Sequence, residues 1–463
     1  MKKNVNRIAF FNFLSVLLLQ GISLISAPLF SGLLGTTGYG DLASFTVWAN
    51  LMTTVFSLQS NLTIVNARQE YSEQEQPGYQ SSVMTLSLLC FAAAGVLMMV
   101  FSRPLSAALK MSRLMLVLML LQALGAFGVN FLHSKFTYEF KADKNMLLSV
   151  FLSASNLGVS LLLVLNMPQE QRYYGRVLGT VLTTGVIGLI ACISILLRGK
   201  KFYDSAYWKF CFMLGWPQTF QALTYYLLGN SDVVMLRQMT GADASGIYSL
   251  AFTVGGVMYT LYTAINNSWV PFFFDDMKMG RRDNVIRQGR NYLELYTVLS
   301  IGFVLLVPEV FRLFIKEDFW QGILLIPLFT ANYYCNTLCT FPVNYEVHNK
   351  KTWVLTAGTI SATLINLALN YVMIRAWGML GAAVATLISR LIQLAMHQIY
   401  ARCILGKRDY PFPLGPELGG IAALTLVIVL FYLTPNAWFI RWPLGAAVGV
   451  WELLRIWKRR SLL

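Results

Sequence analysis

The chain has 463 residues and a net charge of +15, yet only 12% of its residues are charged and 56% are apolar, against roughly 25% charged in a typical soluble domain. Water is therefore excluded as its main solvent. The basic residues stand between apolar stretches instead of clustering on one face with aromatics, which excludes a nucleic-acid surface and leaves membrane lipid as the expected surroundings.

Taken in chain order, apolar spans are expected at about 8–34, 41–66, 81–101, 113–133, 146–166, 174–197, 209–236, 244–270, 291–314, 322–344, 352–375, 379–402, 417–434 and 441–457. Each is long enough to cross roughly 30 Å of hydrocarbon as a helix. The basic stretch from Met1 to Arg7 runs into apolar sequence that continues to about Leu34 without a small-residue cleavage site, so the first helix is expected to stay. Turn-forming residues separate the spans: the Gly35 to Gly40 run, Pro77-Gly78, Asn166 to Pro168, and the Pro411, Pro413, Pro416 cluster. Pro28, Pro217, Pro308, Pro327 and Pro342 fall inside spans and are expected to kink them.

Orientation follows from the basic residues, because cytoplasmic loops retain Lys and Arg. Twenty-five lie on the side of the N-terminus, including Lys2, Lys3, Arg281, Arg282, Lys350, Lys351 and Lys458 to Arg460; ten lie on the other side, and Arg390 alone falls mid-span. Both termini are thus expected in the cytoplasm, with an even number of spans. The expected fold is an all-α polytopic membrane protein of about fourteen transmembrane helices. The six cysteines lie in or beside spans, so they read as small core residues, and neither Cys335 with Cys339 nor the scattered His133, His348 and His397 makes a metal site. No cofactor is expected.

Two landmarks repeat. Gly40 to Val47 at the start of the second span resembles Gly246 to Val254 at the start of the eighth, and Leu178-Gly179 in the sixth resembles Leu380-Gly381 in the twelfth. Six spans per copy keeps both copies in one orientation, which implies two parallel six-helix lobes. The expected division is residues 1–200, residues 201–402, and two additional transmembrane helices in 403–463.

Polar groups are costly in hydrocarbon, so those inside spans are expected to face a bundle interior or a wet cavity. Asn12 and Gln20 lie in the first span, Asn50, Gln59, Asn61 and Asn66 in the second with Arg68 after them, and Gln218, Gln221, Asn230 and Asp232 in the seventh. These are the opening helices of each half. Arg390, near the middle of the twelfth span, is the sharpest candidate for a cavity residue, and it shares a helix face with Thr386, Gln393 and His397. Arg68 and Arg237 are the expected helpers nearer the two ends.

Three stretches resemble the polysaccharide transporter branch of the multidrug, oligosaccharidyl-lipid and polysaccharide flippase superfamily: Gly215-Trp216-Pro217 through Asp232 to Gly246-Ile247-Tyr248-Ser249, Asn266 to Phe272, and Asn366 to Tyr371 through Gly378 to Thr386. The resemblance implies two lobes around a polar, cationic cavity, with Asn366 among its residues. It also implies alternating access that moves an undecaprenyl-diphosphate-linked oligosaccharide from the cytoplasmic to the outer leaflet of the bacterial inner membrane for cell-surface polysaccharide. The implied partners are that lipid-linked oligosaccharide and membrane lipids, with a polysaccharide polymerase left open. Members of the family often carry Arg directly after the Asp of span seven; here Val233 follows Asp232.

Two other functions compete. A cation-coupled multidrug exporter of the same fold would favour carboxylates in the cleft, and Asp232 is the one well placed. A membrane-embedded polymerase or glycosyltransferase needs acid, base or metal-binding groups converging on a loop. Loops this short carry no such cluster, so a transporter rather than an enzyme is expected.

Overall fold

In the computed structural model, the described residues are 5–405 and 409–459, with the side chains of 5–10, 12, 13, 16, 17, 20, 24, 453 and 456–459 left aside. The side chains of Asn12 and Gln20 therefore lie outside the described residues, as do those of Lys2, Lys3 and Lys458 to Arg460.

The chain is helical, with no strand among the described residues. In order come α1 (Val5–Phe56), α2 (Ser60–Glu70), α3 (Gln76–Val100), α4 (Ser102–Leu109), α5 (Arg113–Tyr138), α6 (Ala142–Leu165), α7 (Arg172–Gly199), α8 (Ser205–Met239), α9 (Ala242–Lys278), α10 (Arg282–Phe314), α11 (Ile326–His348), α12 (Thr352–Ile399), α13 (Leu414–Leu433) and α14 (Trp438–Arg459). Two of these are bent double-length elements. α1 has 52 residues and turns at Gly35 (φ 70°), and α12 has 48 and turns at Gly378 (φ 56°), both backbone states that glycine adopts without a Cβ penalty. At 1.5 Å per residue each is more than 70 Å long, roughly twice the hydrocarbon thickness.

Among the described residues nine helical segments are long and apolar enough to cross a membrane. Counting the two bent ones twice, and adding α8, α11 and α14, recovers fourteen segments. Those three carry polar groups inward: Asp232 in α8, Asn332 and Glu346 in α11, and Arg441 and Glu452 in α14 are all buried. The protein is a multi-pass helical membrane protein.

Three local expectations change. The second span is not continuous, since Ser57 to Gln59 interrupt it between α1 and α2. Pro327 does not kink a span: it opens α11 in its first turn, where its missing N–H leaves no bond unmade, after the 3-10 segment Glu317–Leu325. Ser102–Leu109, read as loop, is the short helix α4.

The chain divides into two compact units, Met1–Gly246 and Ile247–Leu463. In the first, Phe91, Phe127 and Phe131 pack around Tyr79 and Ala123. α8, expected to open the second half, clusters with this unit because its C-terminal end is pinned there. Arg237 forms an ion pair with Asp41 at 2.7 Å and donates to the carbonyls of Leu109 and Lys110, both at 2.9 Å. In the second unit Trp269, Tyr292, Phe341 and Phe412 form one aromatic cluster, with the Phe341 and Phe412 ring centroids 4.8 Å apart. Helices in lipid gain little from apolar contact alone, so close packing and buried polar bonds must hold them. α13 and α14 follow that rule: Arg402 pairs with Glu417 at 3.0 Å, Arg441 with Glu309, and Arg455 with Glu294 and Glu452.

Candidate functional site

The first unit contains a polar cavity of about 200 Å³ at the interruption of the second span. Asn50, Thr53, Thr54 and Ser57 reach it from the end of α1, Gln59 and Asn61 from the break and the start of α2, Phe127 and Asn130 from α5, and Tyr226 from α8. The break is sterically unusual. Leu58 (φ 50°) and Gln59 (φ 48°) are consecutive non-glycine residues in the left-handed region, a conformation that costs about 1–2 kcal/mol per residue and persists only where surroundings impose it. One such constraint is the Gly-Trp-Pro stretch of α8: Gly215 lies so close to the Leu58 carbonyl that a Cβ there would overlap it.

Hydrogen bonds fix the wall. Asn50 donates to the Tyr226 hydroxyl at 3.2 Å, Asn61 to Ser134 Oγ at 3.1 Å, and Gln59 to the Thr54 carbonyl at 3.4 Å. No charged side chain lines this cavity among the described residues. Of the residues singled out in the sequence, Asn50, Gln59 and Asn61 thus share one site. Asn130 and Tyr226 were missed. The signal for Asn130 was present, because an amide in the apolar run of α5 meets the same test that picked out Asn61.

A second polar seam lies wholly in the other unit. Arg390 is half-buried, donates to Gln393 Oε1 at 2.7 Å, and has Nε 3.5 Å from Asn332 Oδ1. The stripe read along α12 is real but largely packed: Asn366 donates to Thr386 at 3.1 Å, and His397 Nδ1 lies 2.9 Å from the Glu346 carboxylate, with Thr386, Gln393 and His397 all buried. Among the described residues no carboxylate pairs with Arg390, so it is a membrane-embedded cation held by neutral amides.

The remaining candidates separate. Asp232 is 1% exposed and engaged by a partner. Arg237 is committed to Asp41 and two carbonyls beside a smaller cavity of about 80 Å³. Arg68 is exposed at the end of α2, with its guanidinium 5.9 Å from the Phe140 ring. Gln218 is half-buried and Gln221 exposed on α8, away from the residues lining the larger cavity. Arg390 is also not alone as an intramembrane cation without a carboxylate partner among the described residues. Arg176 in α7 is half-buried, hydrogen-bonded to Asn156 and Ser160, and 4.1 Å from the centroid of the Phe30 ring. It escaped notice because it falls at the edge of its apolar span.

Residues 5–277 match the family model described as polysaccharide biosynthesis protein. Among curated proteins, none matches the chain. Its fold is similar to that of the lipid II flippase MurJ in an inward closed conformation, with a TM-score of 0.73 and 15% identity over 98% of this chain and 99% of that one. It is also similar to a mutant of the Vibrio cholerae MATE transporter VcmN (TM-score 0.53, 14% identity, 86% of this chain and 97% of that one). An outward-facing multidrug resistance MATE transporter of the MOP superfamily gives a TM-score of 0.54 at 13% identity, over 85% of this chain and 93% of that one. At such identities the likeness concerns the fold, which is the helical transporter fold that MurJ and the MATE proteins share.

Proposed function

Because the chain belongs to the polysaccharide biosynthesis protein family, we propose that it is a flippase that translocates an undecaprenyl-diphosphate-linked oligosaccharide from the cytoplasmic to the outer leaflet of the bacterial cell membrane by alternating access, supplying cell-surface polysaccharide synthesis. The observation that carries this reading is Arg390. A guanidinium in the middle of a membrane element, held by Asn332 and Gln393 and without a carboxylate partner among the described residues, presents donors suited to a diphosphate. A cation-coupled drug exporter would instead gain from carboxylates in its cleft, and the larger cavity has none on its wall. Both termini lie in the cytoplasm in this reading, so reporter fusions after residues 75, 205 and 460 should all report cytoplasm.

The test is reconstitution. Purified protein in liposomes should move fluorescent undecaprenyl diphosphate bearing a short saccharide between leaflets, and should not extrude a cationic dye down an opposing sodium or proton gradient. Dye extrusion without lipid transfer would replace the flippase with the exporter.

A further inference from the structure

The cavity at the broken second span has a chemical bias that its volume alone does not convey. The Thr and Ser hydroxyl protons are spent on the backbone: Thr53 donates to the Ala49 carbonyl at 2.9 Å, Thr54 to that of Asn50 at 2.9 Å, and Ser57 to that of Thr54 at 3.4 Å. An amide proton each from Asn50, Gln59 and Asn61 is spent in the same way on internal acceptors. What remains toward the cavity is a mixed wall: the amide oxygens accept, while the second N–H of each of these amides and the Tyr226 hydroxyl, which accepts from Asn50, are free to donate. Asn130 stands exposed in the wall and makes no side-chain hydrogen bond within the described residues, so its amide is available to an occupant.

The occupant that such a wall matches both donates and accepts, as sugar hydroxyls do, and carries no net charge. A bare cation would find no carboxylate to compensate it. A carboxylate would find no cationic side chain on the wall to balance its charge. A cavity of about 200 Å³ has room for a sugar ring. Phe127 supplies an aromatic wall for the apolar face of such a ring. The left-handed pair Leu58 and Gln59 is the kind of imposed strain that accompanies binding sites, and it is what turns Gln59 and Asn61 into the same space as Asn50.

We propose that this cavity is a sugar subsite which accepts a neutral, hydroxyl-bearing ring of the lipid-linked glycan and rejects a ring that carries a carboxylate. The proposal rests on the flippase reading, and its test is built to separate the two. Proteoliposomes are given two probe lipids, undecaprenyl diphosphate bearing one N-acetylglucosamine and the same lipid bearing one glucuronic acid. Wild-type protein should transfer the neutral lipid about tenfold faster than the acidic one, a difference on the scale expected when a buried polar group loses its partner. Asn130→Leu removes no hydrogen bond of the folded protein, and it should slow the neutral lipid roughly fivefold while narrowing the preference. Asn50→Ser, which truncates an exposed wall amide, should act in the same direction and serves if Asn130→Leu elutes as aggregate on gel filtration. Transfer of neither lipid by the wild type would overturn the flippase reading. Transfer of both at equal rates, or variants that keep the wild-type rate and preference, would overturn the subsite and leave the flippase standing.

Discussion

Gly40 and Gly246 pack into each other's helical turns in a reciprocal way. A Cβ on Gly40 would overlap the carbonyl oxygen of Ala242, and a Cβ on Gly246 would overlap that of Thr36. The four residues pair off at one spacing along the chain, Gly40 with Gly246 and Thr36 with Ala242, the same 206 that separates Thr37 from Asp243, whose side chains are hydrogen-bonded at 2.6 Å. Gly35 and Gly241, also at this spacing, both have positive φ, 70° and 112°. The first of the two matched landmarks in the sequence thus coincides with matched backbone geometry. Either Gly→Ala change would force two backbones apart. Overpacking of this kind costs about 1–3 kcal/mol, so Gly40→Ala and Gly246→Ala should lower the melting temperature in detergent by similar amounts. A large effect from one and none from the other would contradict the reciprocal contact.

The Arg237 clamp leads to a second expectation. Its side chain is 9% exposed and that of Asp41 24%, so removing one partner strands a charge and two carbonyls. Breaking a buried pair in this manner costs about 3–5 kcal/mol, with the lower end applying because Asp41 is partly open. Arg237→Gln should therefore reduce folded protein and thermal stability before it alters any transport selectivity. Normal stability with altered selectivity would instead restore Arg237 to the anion-handling role that its sequence position suggested.

Those two cases show what a linear reading can reach. Apolar runs located the spans because hydrocarbon demands length and apolarity, whatever the neighbours are. The break at Leu58 and Gln59 was invisible because neither residue is a turn former, and the glycine that admits the Leu58 carbonyl, Gly215, lies in another helix. Arg237 was visible as a charge near a helix end, but its partner Asp41 lies 196 positions away and nothing local announces it. Arg390 was legible because a charge at mid-span is rare, whereas its partner Asn332, 58 positions distant, belongs to a different helix.

Outside the membrane, Asp204 caps α8. It accepts from the backbone N–H of Ala206 at 2.9 Å and Tyr207 at 3.1 Å, and its other oxygen is 2.6 Å from Lys201 Nζ. Lys201 first, then the backbone donor of Tyr207, holds its carboxyl below the ordinary 3.8. A depressed carboxylate binds fewer protons in the folded chain than in the unfolded one, so stability rises with pH across this interval. Its contribution is present above 3.8 and is lost as pH falls through the lower folded value. Its side chain is 22% exposed and that of Lys201 46%, so the pair is a surface one and its charge effect is limited to roughly 0.2–1 kcal/mol. Asp204→Asn retains a good cap, so melting curves from about pH 3 to 7 should show a small loss at neutral pH and a flatter acid limb. An unchanged acid limb would assign that limb to other carboxylates.

The sharpest expectation concerns Arg390. Its guanidinium is held by Gln393 at 2.7 Å and approaches Asn332 at 3.5 Å, and among the described residues no carboxylate shares its charge. A cation placed so deep is costly unless something anionic or wet compensates it, which a passing diphosphate would do. A charge-assisted hydrogen bond contributes about 1.5–3 kcal/mol, equivalent to roughly tenfold to hundredfold in an equilibrium. Arg390→Ala should thus slow transfer of the lipid diphosphate by at least about tenfold. Arg390→Lys keeps the charge but loses the planar fork, so it should retain part of the rate. Protein abundance should be similar in all three, because the two amide partners left behind, Gln393 and Asn332, carry no charge to strand. Wild-type transfer by Arg390→Ala would remove Arg390 from the substrate path. Loss of folded protein in Arg390→Ala, rescued by Arg390→Lys, would make it a structural cation balancing a charge elsewhere in the second unit, with Glu346 beside His397 as the first place to look.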